Sequence, residues 1–127
     1  MEKRIFFHDT DSGGIVYYGN YLKYLEEART EFLEQKGLSV DFFYQQGFMY
    51  AVRKVTISYK SPAKYGDILC CDAALMKVTA AQIFFSQKIS QKDTGTLVVD
   101  AEVVLACLNQ NFRPVPIPED LKTLLLK

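Results

Sequence analysis

One stretch of this chain obeys every local rule for a helix, and nearly everything after it reads as strand. That order constrains the fold more than any other feature. From Asn20 to Lys36, Tyr21, Leu25, Ala28 and Phe32 recur at spacings of four, three and four, with Leu22 and Leu33 beside them. Lys23, Glu26, Glu27, Thr30, Glu31 and Glu34 fill much of the rest, so one apolar stripe backs onto one solvated face. Asn20 is placed as an N-cap and Gly37 as the C′ glycine that ends the helix. These seventeen residues, at ~1.5 Å rise each, give a rod of about 25 Å, the longest element in the chain.

Strands surround this helix. Arg4 to Phe7 reads as a short first strand, and Asp9 to Gly14 as a loop of turn-forming residues. Lys54 to Lys60 alternates, which predicts Val55, Ile57 and Tyr59 facing a core. Ser61-Pro62 breaks that run. Ile68 to Val78, Gln82 to Gln91 and Thr96 to Asn109 are further strands, with turns at Ala80-Ala81 and Lys92 to Gly95. Thr96 to Asn109 is apolar on both faces, as a strand covered on each side would be. Glu119 to Leu126 reads as a short terminal helix. One helix followed by consecutive antiparallel strands implies an α+β fold, and no alternating βαβ units suggest a doubly wound sheet.

The 127 residues fit one domain, residues 1–127, and 49% apolar content is enough for a packed core. Zero formal net charge argues against nucleic acid as a partner. Cys70, Cys71 and Cys107 form neither a disulfide framework nor a zinc pattern and read as reduced, buried thiols, so neither metal nor cofactor is expected. There is no signal-peptide pattern at the N-terminus, and no apolar run approaches the ~20 residues of a membrane helix. The expected location is cytoplasmic.

Chemistry concentrates in Asp9 to Tyr21, the loop that joins a strand to the long helix. A carboxylate there lies near the free N–H groups of a helix N-terminus, which carry partial positive charge. Such donors stabilise an oxyanion developing on a carbonyl. A thiolate, with an ordinary pKa near ~8.5, leaves readily, so a thioester needs no strong general acid. Spacing alone leaves Asp9 and Asp11 equally readable as turn and capping residues. A DxD phosphatase motif is disfavoured because its βαβ sheet is missing. A calcium loop is disfavoured because its twelfth position would be Asn20 rather than a bidentate Glu.

The run DTDSGGIVYYGNYLKYLEEAR, together with VTISYKSPAKYGDIL from Val55 to Leu69, resembles the signature of the 4-hydroxybenzoyl-CoA thioesterase family, in particular its YbgC-like branch. The resemblance implies a hotdog fold, a five-stranded antiparallel sheet wrapped around one long helix. It also implies hydrolysis of an acyl-CoA without cofactor. Dimers joined edge to edge, commonly paired into tetramers, would place the active site between subunits. The family's catalytic carboxylate falls on Asp11, and its carbonyl-polarising backbone N–H on Tyr18. Gly14 would let the backbone approach the acyl group, while Tyr17 and Tyr18 would line its pocket. Arg29 and one helical glutamate match the pattern, which implies a pair inside the dimer; Asp9 reads as a structural cap.

Two departures and two alternatives accompany this resemblance. Tyr18 stands where many YbgC-like members carry His, so an imidazole role is absent there, and His8, the only histidine, reads as a strand-end or surface residue. Lys54, Lys60, Lys64, Lys77 and Arg113 are available for CoA phosphates, with no spacing that selects among them. A hotdog dehydratase would need a histidine base that this chain lacks. An acyl-thioester-binding adaptor, linked to lipid metabolism or the envelope Tol–Pal system as YbgC-like proteins are, is the reading from another class.

Overall fold

The computed structural model describes residues 1–127. Its sheet contains β1 (Glu2–Arg4), β2 (Phe48–Tyr59), β3 (Ile68–Cys71), β4 (Ala74–Val78), β5 (Gln82–Gln91) and β6 (Leu97–Asn109). All pairings are antiparallel, in the order β1-β3-β5-β6-β2, with β4 also paired to β5. The helices are α1 (Asn20–Gln35), α2 (Val40–Gln45) and α3 (Glu119–Leu126). This is the α+β hotdog architecture that the resemblance implied, with six strands in place of five.

The extra strand comes from a break. Ile68 to Val78, expected as one strand, divides at Asp72-Ala73 into β3 and β4, which lie in succession along the same edge of β5. Asp72 turns its side chain into the ladder, where Oδ1 accepts the Lys88 N–H at 2.7 Å. Other boundaries also shift. The first strand ends at Arg4, because Ile5 to Gly66-Asp67 pairing leads into a 3-10 turn at Phe7–Asp9. β2 starts at Phe48, earlier than expected, and α2 precedes it, N-capped by Ser39 Oγ, which accepts the Phe42 N–H.

Helix α1 lies on the sheet through Tyr21, Tyr24, Leu25, Ala28 and Leu33, all buried. Tyr24 belongs to the stripe and Leu22 does not: at about 100° per residue Leu22 points away from the buried face, and it is exposed. The stripe feeds two apolar clusters. One gathers Ile5, Tyr24, Leu25, Leu69 and Val99, the other Leu33, Phe43, Phe85, Leu105 and Leu121. Between them lies a polar layer. Gln87, fully buried in the inward row of β5, donates both amide protons, to the Leu25 and Asp72 carbonyls at 3.0 and 3.1 Å. Its Oε1 accepts from Arg29 Nη1 at 3.0 Å.

The cysteines are free thiols, with Cys71 and Cys107 buried as expected and Cys70 exposed. Burial pushes the Cys71 thiol up to about 12 and that of Cys107 to about 11. Both are therefore inert as nucleophiles at neutral pH. β2, at one end of the sheet, pairs with β6 along one side only, and none of its twelve residues is fully buried. Tyr59, expected to face a core, is about half exposed at its far end.

Candidate functional site

The Asp11 loop is built by short-range hydrogen bonds and tied down at both flanks. Thr10 pairs with Val16 across it, and the Asp11 N–H donates to Ile15 O at 2.9 Å. The turn closes when the Gly14 N–H donates to Asp11 O. Gly14 has φ +80°, the left-handed region that a side chain would resist. On the outside, Ile15 bridges to Lys64 and the Val16 N–H donates to Ala63 O. The loop between β2 and β3 therefore braces the loop before α1.

Asp11 is exposed, and its Oδ1 accepts the Gly13 N–H at 2.9 Å. That bond fixes one carboxylate oxygen and leaves the other available. A Cβ at Gly13 would lie 3.2 Å from the same oxygen, so glycine makes room for the carboxylate. Asp9 behaves as the expected cap. Its buried side chain accepts the Phe6 N–H, and its carbonyl accepts from the Tyr17 N–H and Asn20 Nδ2. Asn20 is consequently the first residue of α1 rather than its N-cap: the chain already turns at Tyr17, whose carbonyl takes the Asn20 N–H, and Gly19 occupies the cap with no side-chain partner.

The Tyr18 N–H meets no acceptor in the chain. It lies just before the start of α1, where unpaired N–H groups and the helix dipole favour negative charge. Its ring leans on Tyr17 at 4.9 Å and meets Tyr59 edge-on at 6.1 Å. Tyr59 also touches Tyr21, whose hydroxyl accepts the Ala63 N–H. Tyr18, Tyr21, Tyr59, Ile15, Lys60 and Pro62 line a shallow groove of about 390 Å³. The Tyr18 hydroxyl beside it raises the Tyr17 phenol, and burial raises that of Tyr21, so both remain protonated donors at neutral pH.

Of the expected residues, the groove takes in Tyr18, while Asp11, Gly14 and Tyr17 stand on the loop outside its lining. Gly13, Gly19, Tyr21 and Tyr59 are parts the sequence reading missed. A Cβ at Gly19 would press to 2.7 Å from the Tyr17 ring. His8 is exposed and stacked on Phe6, as a surface residue.

A second, more enclosed cavity of about 310 Å³ lies between α1, α2 and β2, with none of the loop residues in its lining. Leu33, Phe43, Phe48, Tyr50 and Leu105 form its apolar wall, with Arg29 among them.

Comparison with known proteins identifies the scaffold that carries the groove and the cavity. Residues 5–125 match the family described as the thioesterase-like superfamily. The chain is 30% identical over 119 residues to the acyl-CoA thioester hydrolase YbgC of Escherichia coli, covering 93% of this chain and 88% of that one. It is 32% identical over 122 residues to the acyl-CoA thioesterase YbgC of Haemophilus influenzae, covering 94% and 88%. A hypothetical protein from Aquifex aeolicus superposes with TM-score 0.90 at 29% identity, covering 98% and 97%. A 1,4-dihydroxy-2-naphthoyl-CoA thioesterase from Synechocystis shares the fold, with TM-score 0.90 at 24% identity over 100% and 94%. With a match over nearly its whole length, this chain belongs to the thioesterase-like superfamily.

Proposed function

We propose that this chain hydrolyses acyl-CoA thioesters to a free acid and CoA, with Asp11 as the reacting carboxylate and the Tyr18 N–H as donor to the carbonyl oxygen. The observation that carries this reading is the unpaired Tyr18 N–H at the start of α1, on a loop whose other turn presents Asp11. The YbgC relatives supply the substrate class.

The Tyr18 N–H polarises the thioester carbonyl and holds the oxyanion as it forms. Asp11 then acts in one of two balanced ways. Its free oxygen attacks the carbonyl carbon, expelling CoA thiolate and leaving an anhydride that water opens. Otherwise it takes a proton from water as the hydroxide attacks, and the collapsing intermediate expels the thiolate. Gly14 gives the loop the turn that an approaching acyl group needs, and Tyr17 and Tyr18 flank that group. Lys60, which lines the groove, and Lys64, on the bracing loop, would meet the CoA phosphates.

The working unit is a dimer, itself able to pair into a tetramer. β2 is a twelve-residue edge whose outer side is unpaired, an arrangement that invites strand addition. Antiparallel pairing of two copies about the middle of β2 sets Phe48 to Val52 of one beside Val55 to Tyr59 of the other. The enclosed α1–α2–β2 cavity of one copy then adjoins the Tyr59 and Tyr18 groove of its partner and serves as the acyl pocket. A cytoplasmic location suits the free thiols, and no helix is long and apolar enough to cross a membrane. The link to lipid metabolism or to Tol–Pal belongs to this reading through the YbgC resemblance.

The test is thiol release from a panel of acyl- and aroyl-CoAs. Asp11→Asn is expected to lose at least about a hundredfold in kcat, with circular dichroism and mass in solution unchanged. Unaltered turnover in that variant ends the mechanism.

A further inference from the structure

The chain buries three polar side chains, Asp9, Arg29 and Gln87, and only one of them is a cation. Arg29 is 7% exposed. Its guanidinium has five N–H donors, yet it makes one hydrogen bond, to the uncharged Oε1 of Gln87. Gln87 is spent in that role, since both of its amide protons go to the Leu25 and Asp72 carbonyls. No carboxylate lies within ion-pairing distance of Arg29; the two close ion contacts of the chain involve His8 with Asp9 and Lys92 with Glu2. Glu26, one turn earlier on α1, attracts Arg29 without reaching it. Burial lowers the guanidinium's proton affinity, but arginine stays charged at neutral pH.

A buried charge with no bonded counterion is costly, and such groups normally find a partner. The place where this one can find it is the α1–α2–β2 cavity, which Arg29 lines alongside Leu33, Val40, Phe43 and Phe48, with Glu26 as the one carboxylate on the same lining. At about 310 Å³ the cavity is at the small end of ligand pockets, which run from ~300 to 1,000 Å³. It suits a short or monocyclic group better than a long chain.

Resting on the reading above, in which this cavity receives the acyl group, we propose that Arg29 selects short or monocyclic acyl groups that carry a second oxygen function, a carboxylate or carbonyl, at their far end. The apolar wall takes the body of the group. The fork of donors that Gln87 leaves unused takes the distal oxygen, in the geometry that matches a guanidinium to a carboxylate. Gln87 acts as a positioning residue, because it aims the guanidinium while adding no charge of its own; the competing charge is that of Glu26, which lines the cavity without bonding to Arg29.

Matched CoA thioesters that differ only at the far end test this: hexanoyl against the half-acid adipoyl, and benzoyl against 4-carboxybenzoyl. Turnover is read by thiol release, and binding without turnover by calorimetric titration of Asp11→Asn protein. The oxygen-bearing member of each pair is expected to bind and react about tenfold or more better, the return on one charged hydrogen bond. Arg29→Met should erase that ratio, and Arg29→Lys should keep part of it. A purely structural Arg29 would move stability and leave the ratio alone. Equal binding of both members, a ratio intact in Arg29→Met, or a loss of dimer mass with the ratio kept overturns the proposal. Where Arg29→Met fails to fold, Arg29→Lys decides: a ratio undiminished in it overturns the proposal, and equal binding by the wild type does so without any variant. Selective binding without thiol release would sink the hydrolase reading and keep Arg29; thiol release without selectivity would do the reverse.

Discussion

The two ends of α1 are finished to different standards. At its C-terminus the Leu38 N–H donates to Leu33 O and the Gly37 N–H to Glu34 O, with Gly37 at φ +75° and Leu38 fully buried. That is a complete Schellman closure with its hydrophobic contact. At its N-terminus Gly19 offers no capping side chain, the Tyr18 N–H is unpaired, and Tyr17 and Tyr18 stand in solvent. A helix that only had to be stable would cap both ends, because a good N-cap contributes ~1 kcal/mol. The open end is where, in the proposed mechanism, stability is given up for donors that a ligand can use.

That contrast can be attacked from either end, and the largest effects belong to the open one. Asp11→Asn should abolish most turnover while the thermal midpoint stays put; a fall in both would make Asp11 a fold residue. Tyr18→Pro removes the N–H at a position near the helix start, where proline is tolerated. Loss of one oxyanion donor costs ~10²–10³ in kcat, whereas Tyr18→Phe, which keeps the N–H, should stay near wild type. Equal losses in the two variants would place the function in the phenol. At the closed end Leu38→Ala should cost ~2–5 kcal/mol of stability, read by denaturant unfolding, with the kcat of folded protein kept. Gly19→Ala should have the smallest effect. Its Cβ displaces the Tyr17 ring, so KM should rise while the unfolding midpoint hardly moves. A collapse of stability instead would mean that the open end also supports the fold.

What the sequence made legible follows the same division. The repeated apolar spacing of α1, the Gly37 stop and the Gln82–Gln91 strand depend on local pattern, and they appear where that pattern put them. The break at Asp72-Ala73 does not, because it is held by Lys88 and Gln87 from a strand far along the chain. Asn20 has the composition of a cap, but the Tyr17 carbonyl had already begun the turn. Helix α2 was hidden because six residues carry too little periodicity to register. At the site, Asp11 was readable through a motif. Its Gly13 contact and the Tyr59 neighbour of Tyr18 were not, since they depend on loop geometry and on a strand that returns from elsewhere. Arg29 was visible as a letter in the motif, while its burial without a counterion needed the sheet beneath it.

If copies pair along β2 as proposed, its long free side has a consequence for the chain before pairing. A newly made copy presents a row of backbone groups able to template any extended segment, including that of a misfolded neighbour. Self-association would then be a safeguard as well as a way to build a pocket, and high dilution would be hazardous to the protein's solubility. Light scattering on samples diluted step by step, with particle size followed over hours, would reveal that vulnerability.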